Sequence, residues 1–142
     1  MQKGRLSDEF RARTKKFAAT IIRLYVKLPK GRDEAMVCGK QILRSGTSVA
    51  SHVREASRAR SDAEFISKLG GALQEADETQ LWLELLREEC GIDPALTSPI
   101  EQESNELIAI MTTIVKKSCL VSRICVLKEV REAPQVYDKE RV

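Results

Sequence analysis

Apolar residues recur along most of the chain at intervals of three, four and seven, the spacing that gathers side chains on one face of a helix. Four such stretches carry their own start and stop signals. The first covers about residues 7–28, with a stripe of Phe10, Phe17, Ile21, Leu24 and Leu28. Ser7 is placed to cap it, Asp8 and Glu9 suit the positive end of the helix dipole, and Pro29 with Gly31 ends it. The second covers about 33–57, with Ala35, Gly39, Ile42, Gly46, Val49, Val53 and Ala56 in line. Glycine inside a helix costs up to about 1 kcal/mol. Close approach of another backbone is therefore expected against this face, with a kink near Gly46.

The third stretch covers about 62–90. Ser61 and Glu64 form a capping box, the stripe runs Phe65, Leu69, Ala72, Ala76, Thr79, Leu83, Leu86 and Cys90, and Gly91 and Pro94 follow. The fourth covers about 99–128. Ser98 is expected to cap it, Pro99 to open its first turn and Glu101 to answer the cap. Ile100, Leu107, Met111, Ile114, Val121 and Cys125 form its stripe. The remainder, "REAPQVYDKERV", is polar and contains a proline, so residues 129–142 read as a tail on a bundle of residues 1–128. Four amphipathic helices joined by short loops predict an all-α, antiparallel up-down-up-down four-helix bundle.

Composition fits that expectation. Aromatics are only 4% of the 142 residues, so the core must be aliphatic. The longest apolar runs are too short to span a bilayer. The N-terminal "MQKGRLSDEFRARTKK" is charged and has no apolar signal segment, so a cytoplasmic protein that makes no membrane contact is expected.

Charge changes the picture. Residues 1–60 carry 15 Lys/Arg and 5 Asp/Glu, a net +10. Residues 61–110 carry 2 and 12, a net −10, and residues 111–142 carry 7 and 4, a net +3. Two readings follow. The halves neutralise one another, within the bundle or between subunits, or the basic half forms a face for nucleic acid. On the second reading the cations of interest are Arg11, Lys15 and Lys16 in the first helix, with Arg54, Arg58 and Arg60 around the turn between the second and third. No aromatics interleave them, so base stacking is not signalled.

The chemistry of catalysis is sparse. Neither GxGxxG nor GxxxxGK[ST] occurs. Cys38, Cys90, Cys119 and Cys125 form no CxxC pair, and the single histidine, His52, cannot complete a zinc site with that spacing. The cysteines read as small hydrophobes on helices. No catalytic residue, metal site or cofactor is expected. His52 and Glu55 flank the core position Val53, and with Glu78 and Thr79 they are expected to form a half-buried polar network that sets helix register. A ligand site centred on His52 and Glu55 is the alternative.

The segments "SVASHVREA", "RSDAEFISKL" and "ALQEADETQLWLELL", preceded by "KLPKGRDEAMVCGKQILRSG", resemble the bacterial four-helix bundle proteins, also called 23S rRNA intervening-sequence proteins. The resemblance covers about residues 10–125 and is most specific in the middle. His52 stands where that family usually carries Asn, and the chain after Val126 has no counterpart there. The resemblance implies an up-down bundle assembled as a ring-like homopentamer, without catalytic activity. Some members are encoded within rRNA intervening sequences. More distant relatives are accessory proteins of diversity-generating retroelements that bind a reverse transcriptase and nucleic acid. A self-assembling bundle that binds structured RNA or a reverse-transcriptase-like partner is therefore the leading expectation. A protein-binding scaffold with no nucleic-acid role is the other.

Overall fold

The computed structural model describes residues 4–121, which form four α-helices and no strand. They are α1 (Asp8–Lys27), α2 (Asp33–Ser57), α3 (Asp62–Glu88) and α4 (Pro94–Val121). The expected α4 residues 122–128, Cys125 among them, and the 129–142 tail lie outside the described residues. None of the described helices is long and apolar enough to cross a membrane.

Local chemistry sets most helix ends. The Ser7 hydroxyl accepts from the Phe10 N–H at 3.1 Å and starts α1. Leu28 is extended, as a residue before proline must be, and Pro29 cannot continue the helix. Ser61 caps α3 by accepting from the Glu64 N–H at 3.1 Å. The Glu64 carboxylate reaches back one residue further than a capping box requires, to the Arg60 N–H at 3.3 Å. Gly91, at φ 65°, supplies the left-handed residue that turns the chain out of α3.

The start of α4 corrects the sequence reading. Asp93, not Ser98, is the cap: its side chain accepts from the Ala95 N–H at 3.0 Å, and Pro94 is the first helical residue. Pro99 therefore sits inside the helix. Glu101 does not answer a cap; it is buried and holds Arg87 of α3 through two hydrogen bonds of 3.2 Å.

Helix α2 packs against both α1 and α3, α3 also packs against α4, and α1 meets α4 more sparingly. The core is aliphatic apart from Phe10, Phe17 and Phe65. The small residues of α2 make room for α1. A Cβ built on Gly46 would lie 2.7 Å from Ile21 Cγ1, and one on Gly39 would lie 2.5 Å from Leu28 Cδ1. The space is filled by α1 side chains rather than by its backbone, and α2 runs unbroken through Gly46. On its other side, the buried Ser45 and Thr79 hydroxyls lie 2.7 Å apart, joining α2 to α3.

Ion pairs tie the helices along their rims. Arg44 of α2 pairs with Glu75 and Glu78 of α3. Arg13 of α1 pairs with Glu103 and Glu106 of α4, both at 2.5 Å. Hydrogen bonding from Arg13 holds the Glu103 carboxyl below its ordinary value of 4.5, against the opposing effect of burial. A carboxyl with a depressed folded pKa contributes stability that is complete above the unfolded value and is lost as pH falls through the folded one.

Three substitutions test this packing. Gly46→Ala, which meets the stem of a β-branched side chain, should lower stability by about 1–3 kcal/mol in urea denaturation. Gly70→Ala, with nothing within 4 Å, should be neutral or stabilise by up to about 1 kcal/mol. Glu103→Gln should be less stable than the native chain at pH 7, and the gap should narrow as pH falls below 4.5. A gap that persists unchanged in acid would show that Arg13 does not act through the Glu103 charge.

Candidate basic groove at the turn between α2 and α3

The last two turns of α2 and the first two of α3 enclose a groove of ≈ 660 Å³. It is lined by Ala50, Ser51, Arg54, Glu55 and Arg58 from the α2 side, and by Arg60, Glu64 and Lys68 from the α3 side. The helical repeat brings Ser51, Arg54, Glu55 and Arg58 to one face, since residues three and four apart are neighbours. Four cations against two carboxylates leave the lining at a net +2.

The cations differ in how they are held. Lys68 lies 2.9 Å from Glu55. This pairing raises the Lys68 pKa and lowers that of Glu55, to which Ser51 also hydrogen-bonds. Arg60 stands 3.8 Å from Glu64 and its side chain is 92% exposed, so that pair is loose. Arg54 and Arg58 are exposed and have no ion-pair partner among the described residues. Arginine in this state offers planar donors to a phosphate or a carboxylate.

The rim of the groove is fixed from the N-terminal side. The Arg5 N–H donates to the Ser57 carbonyl at 2.9 Å, and its Nε donates to the Ala59 carbonyl at 3.0 Å. Its guanidinium pairs with Asp62 at 2.6 Å and lies 5.9 Å from the Phe65 ring centroid.

The six basic residues singled out in the sequence do not form one patch. Arg54, Arg58 and Arg60 share the groove, whereas Arg11, Lys15 and Lys16 lie on α1 outside it. Arg11 pairs with Asp8, and Lys16 lies beside Glu103. The sequence reading missed Lys68 and Arg5. Lys68 left a trace, as one of only two Lys/Arg residues in 61–110.

The four residues expected to form a polar network are also separated. Glu55 is exposed rather than half-buried, and Lys68 is its partner. Glu78 is drawn to Arg44 and to the Trp82 indole N–H. Thr79 bonds within the α2–α3 interface. His52 packs over Gly71, and its Nδ1 is buried with no hydrogen-bond partner among the described residues. No group of three or more His, Cys, Asp or Glu among the described residues is arranged to hold a metal ion.

Lys68→Met should let the Glu55 carboxyl titrate at higher pH, nearer its ordinary value of 4.5, in carboxyl-carbon NMR. An unchanged titration would mean that Lys68 is not what lowers it.

A family model described as 23S rRNA-intervening sequence protein matches residues 9–113. The chain is also similar to the crystal structure of a protein with unknown function from the S23 ribosomal protein family of Bacteroides thetaiotaomicron VPI-5482. The two share 39% identity with a TM-score of 0.70, over 77% of this chain and 96% of that one. No curated protein matches.

Proposed function

The chain belongs to the 23S rRNA-intervening sequence protein family, and from that premise we propose that it is a non-enzymatic, self-assembling bundle that binds structured RNA through the groove at the α2–α3 turn. The observation that carries this reading is the state of Arg54 and Arg58. Both stand in a concave surface of net positive charge and have no ion-pair partner among the described residues. Phosphate oxygens suit such unpaired guanidinium groups, and contacts to the phosphate backbone need no base recognition. Lys68 and Arg60 already face carboxylates, so they would serve as secondary contacts.

On this reading the bundle is antiparallel, up-down-up-down, and assembles as a homopentameric ring in the cytoplasm. The pairs Ser45–Thr79 and Glu55–Lys68 support the antiparallel order, since one member rises in number as the other falls. Short connections between the helices support it too. The pentamer is carried over from the family resemblance.

The second reading is an oligomeric scaffold that binds proteins, a reverse-transcriptase-like partner among them, with no nucleic-acid role. It is favoured by how many cations already have acidic partners: Arg5, Arg11, Arg13, Arg44, Lys68 and Arg87 are all in ion pairs.

Salt dependence separates the two. Purified protein should bind a structured rRNA fragment, with affinity falling steeply as salt rises because counterions are released. Changing Arg54, Arg58 and Arg60 together to Ala should weaken binding at least tenfold at low salt while the mass in solution stays the same. Absence of RNA binding at low salt by a correctly assembled protein would reject the RNA reading in favour of the scaffold.

A further inference from the structure

Three residues ahead of the α1 cap, Gly4, Arg5 and Leu6, lie against the turn that joins α2 to α3. Gly4 is so close to α2 that a Cβ built on it would collide with the Ser57 hydroxyl. Leu6 is buried in the core. Between them Arg5 answers both ends of the turn. Its N–H donates to the carbonyl of Ser57, the last residue of α2, one of the groups that a helix C-terminus leaves without an intrahelical partner. Its Nε donates to the Ala59 carbonyl in the turn itself. Its guanidinium then reaches Asp62, the first residue of α3, and lies by the Phe65 ring one turn further on. Arg58 and Arg60, two cations of the groove, stand between these anchors.

We propose that Gly4, Arg5 and Leu6 form a strap that sets the geometry of the groove, and that Arg5 is a positioning residue for Arg58 and Arg60. For its ligand this role rests on the RNA reading. Only four residues, 58–61, separate α2 from α3, and two of them are groove cations. A turn that had to be ordered on binding would weaken the complex; a turn already held removes that cost. Arg54 differs, because it lies inside α2 and is held by the helix itself. The strap therefore acts on one side of the groove and not on the other.

The hydrogen bonds to backbone carry this role more than the charge does. Arg5 and Asp62 are both partly open to water, and such a pair contributes little alone. The donations to the Ser57 and Ala59 carbonyls fix where the backbone of the turn lies, and with it the directions from which Arg58 and Arg60 start. Gly4 and Leu6 set how near Arg5 stands.

The test uses the full-length protein and two strap variants, Arg5→Met and Gly4→Val. The second changes no charge. In both, hydrogen exchange at the Arg58, Ala59 and Arg60 amides should speed up by about tenfold or more, with the middle of α3 unaffected. Affinity for a structured rRNA fragment should fall by about tenfold, measured where each variant is fully folded. The slope of log affinity against log salt should stay at the native value for both variants, whereas Arg54→Ala should reduce it by about 0.9. Once Arg58 and Arg60 are both Ala, Arg5→Met should cost no further affinity. Unchanged exchange in Arg5→Met, native affinity in spite of a loosened turn, or an undiminished effect of Arg5→Met without Arg58 and Arg60 would each overturn the proposal. So would a reduced salt slope in Arg5→Met alone, since Arg5 would then touch phosphate itself. If the native protein binds no RNA, the RNA reading falls separately, and the exchange rates alone decide whether the strap holds the turn.

Discussion

The contact between α1 and α2 depends on two side chains that are missing. At Gly46 and Gly39 there is no Cβ, and Ile21 and Leu28 occupy the volume it would fill. Among the described residues no ion pair joins these two helices, so their contact rests on shape and apolar burial. That contact also positions the rest of α1. Only when α1 is seated can Arg13 reach Glu103 and Glu106 on α4, where the two helices otherwise meet sparingly. A helix rich in glycine is weak alone, and α2 is sustained by what packs on it from both sides.

Polar links then work at the rim of an aliphatic core rather than within it. Arg44, Arg13 and Arg87 each bridge two helices, and each is partly open to water. Their contribution is specificity of register more than raw stability. Two fully buried links are exceptions: the Ser104 hydroxyl of α4 donates to the Ala76 carbonyl of α3 at 3.3 Å, and the Ser45–Thr79 contact fixes how α2 lies along α3. The groove inherits this register: Lys68 meets Glu55 because the Ser45–Thr79 contact lies further along the same two helices.

How much of this was legible depends on whether the signal is local. Ser7 and Ser61 act within three residues, and the helices they start were readable from the chain. The start of α4 was not, because two proline-containing segments compete and the wrong one has the fuller capping pattern. Pro94 follows an Asp that caps, while Ser98, Pro99 and Glu101 imitate a cap. What decides is Arg87, across the turn from Glu101. The groove was half legible. Arg54, Arg58 and Arg60 are close in sequence, but Lys68 joins them only through the pairing of α2 with α3. The spacing of His52 and Glu55 says they are near each other and not which way either points; in the structure Glu55 faces Lys68 at the surface.

The charge order along the chain has a consequence for motion in solution. No Asp or Glu occurs between Phe10 and Arg32 or between Ala35 and Arg54, and no Lys or Arg between Leu69 and Leu86 or between Glu88 and Val115. Folding places the first two stretches on α1 and α2 and the last two on α3 and α4. The molecule is thus an electric dipole whose net charge of +3 understates its field. A charged body approaching within a screening length, about 8 Å at physiological salt, exerts a torque as well as a force. It would turn the bundle before touching it, so that first contacts are chosen by orientation.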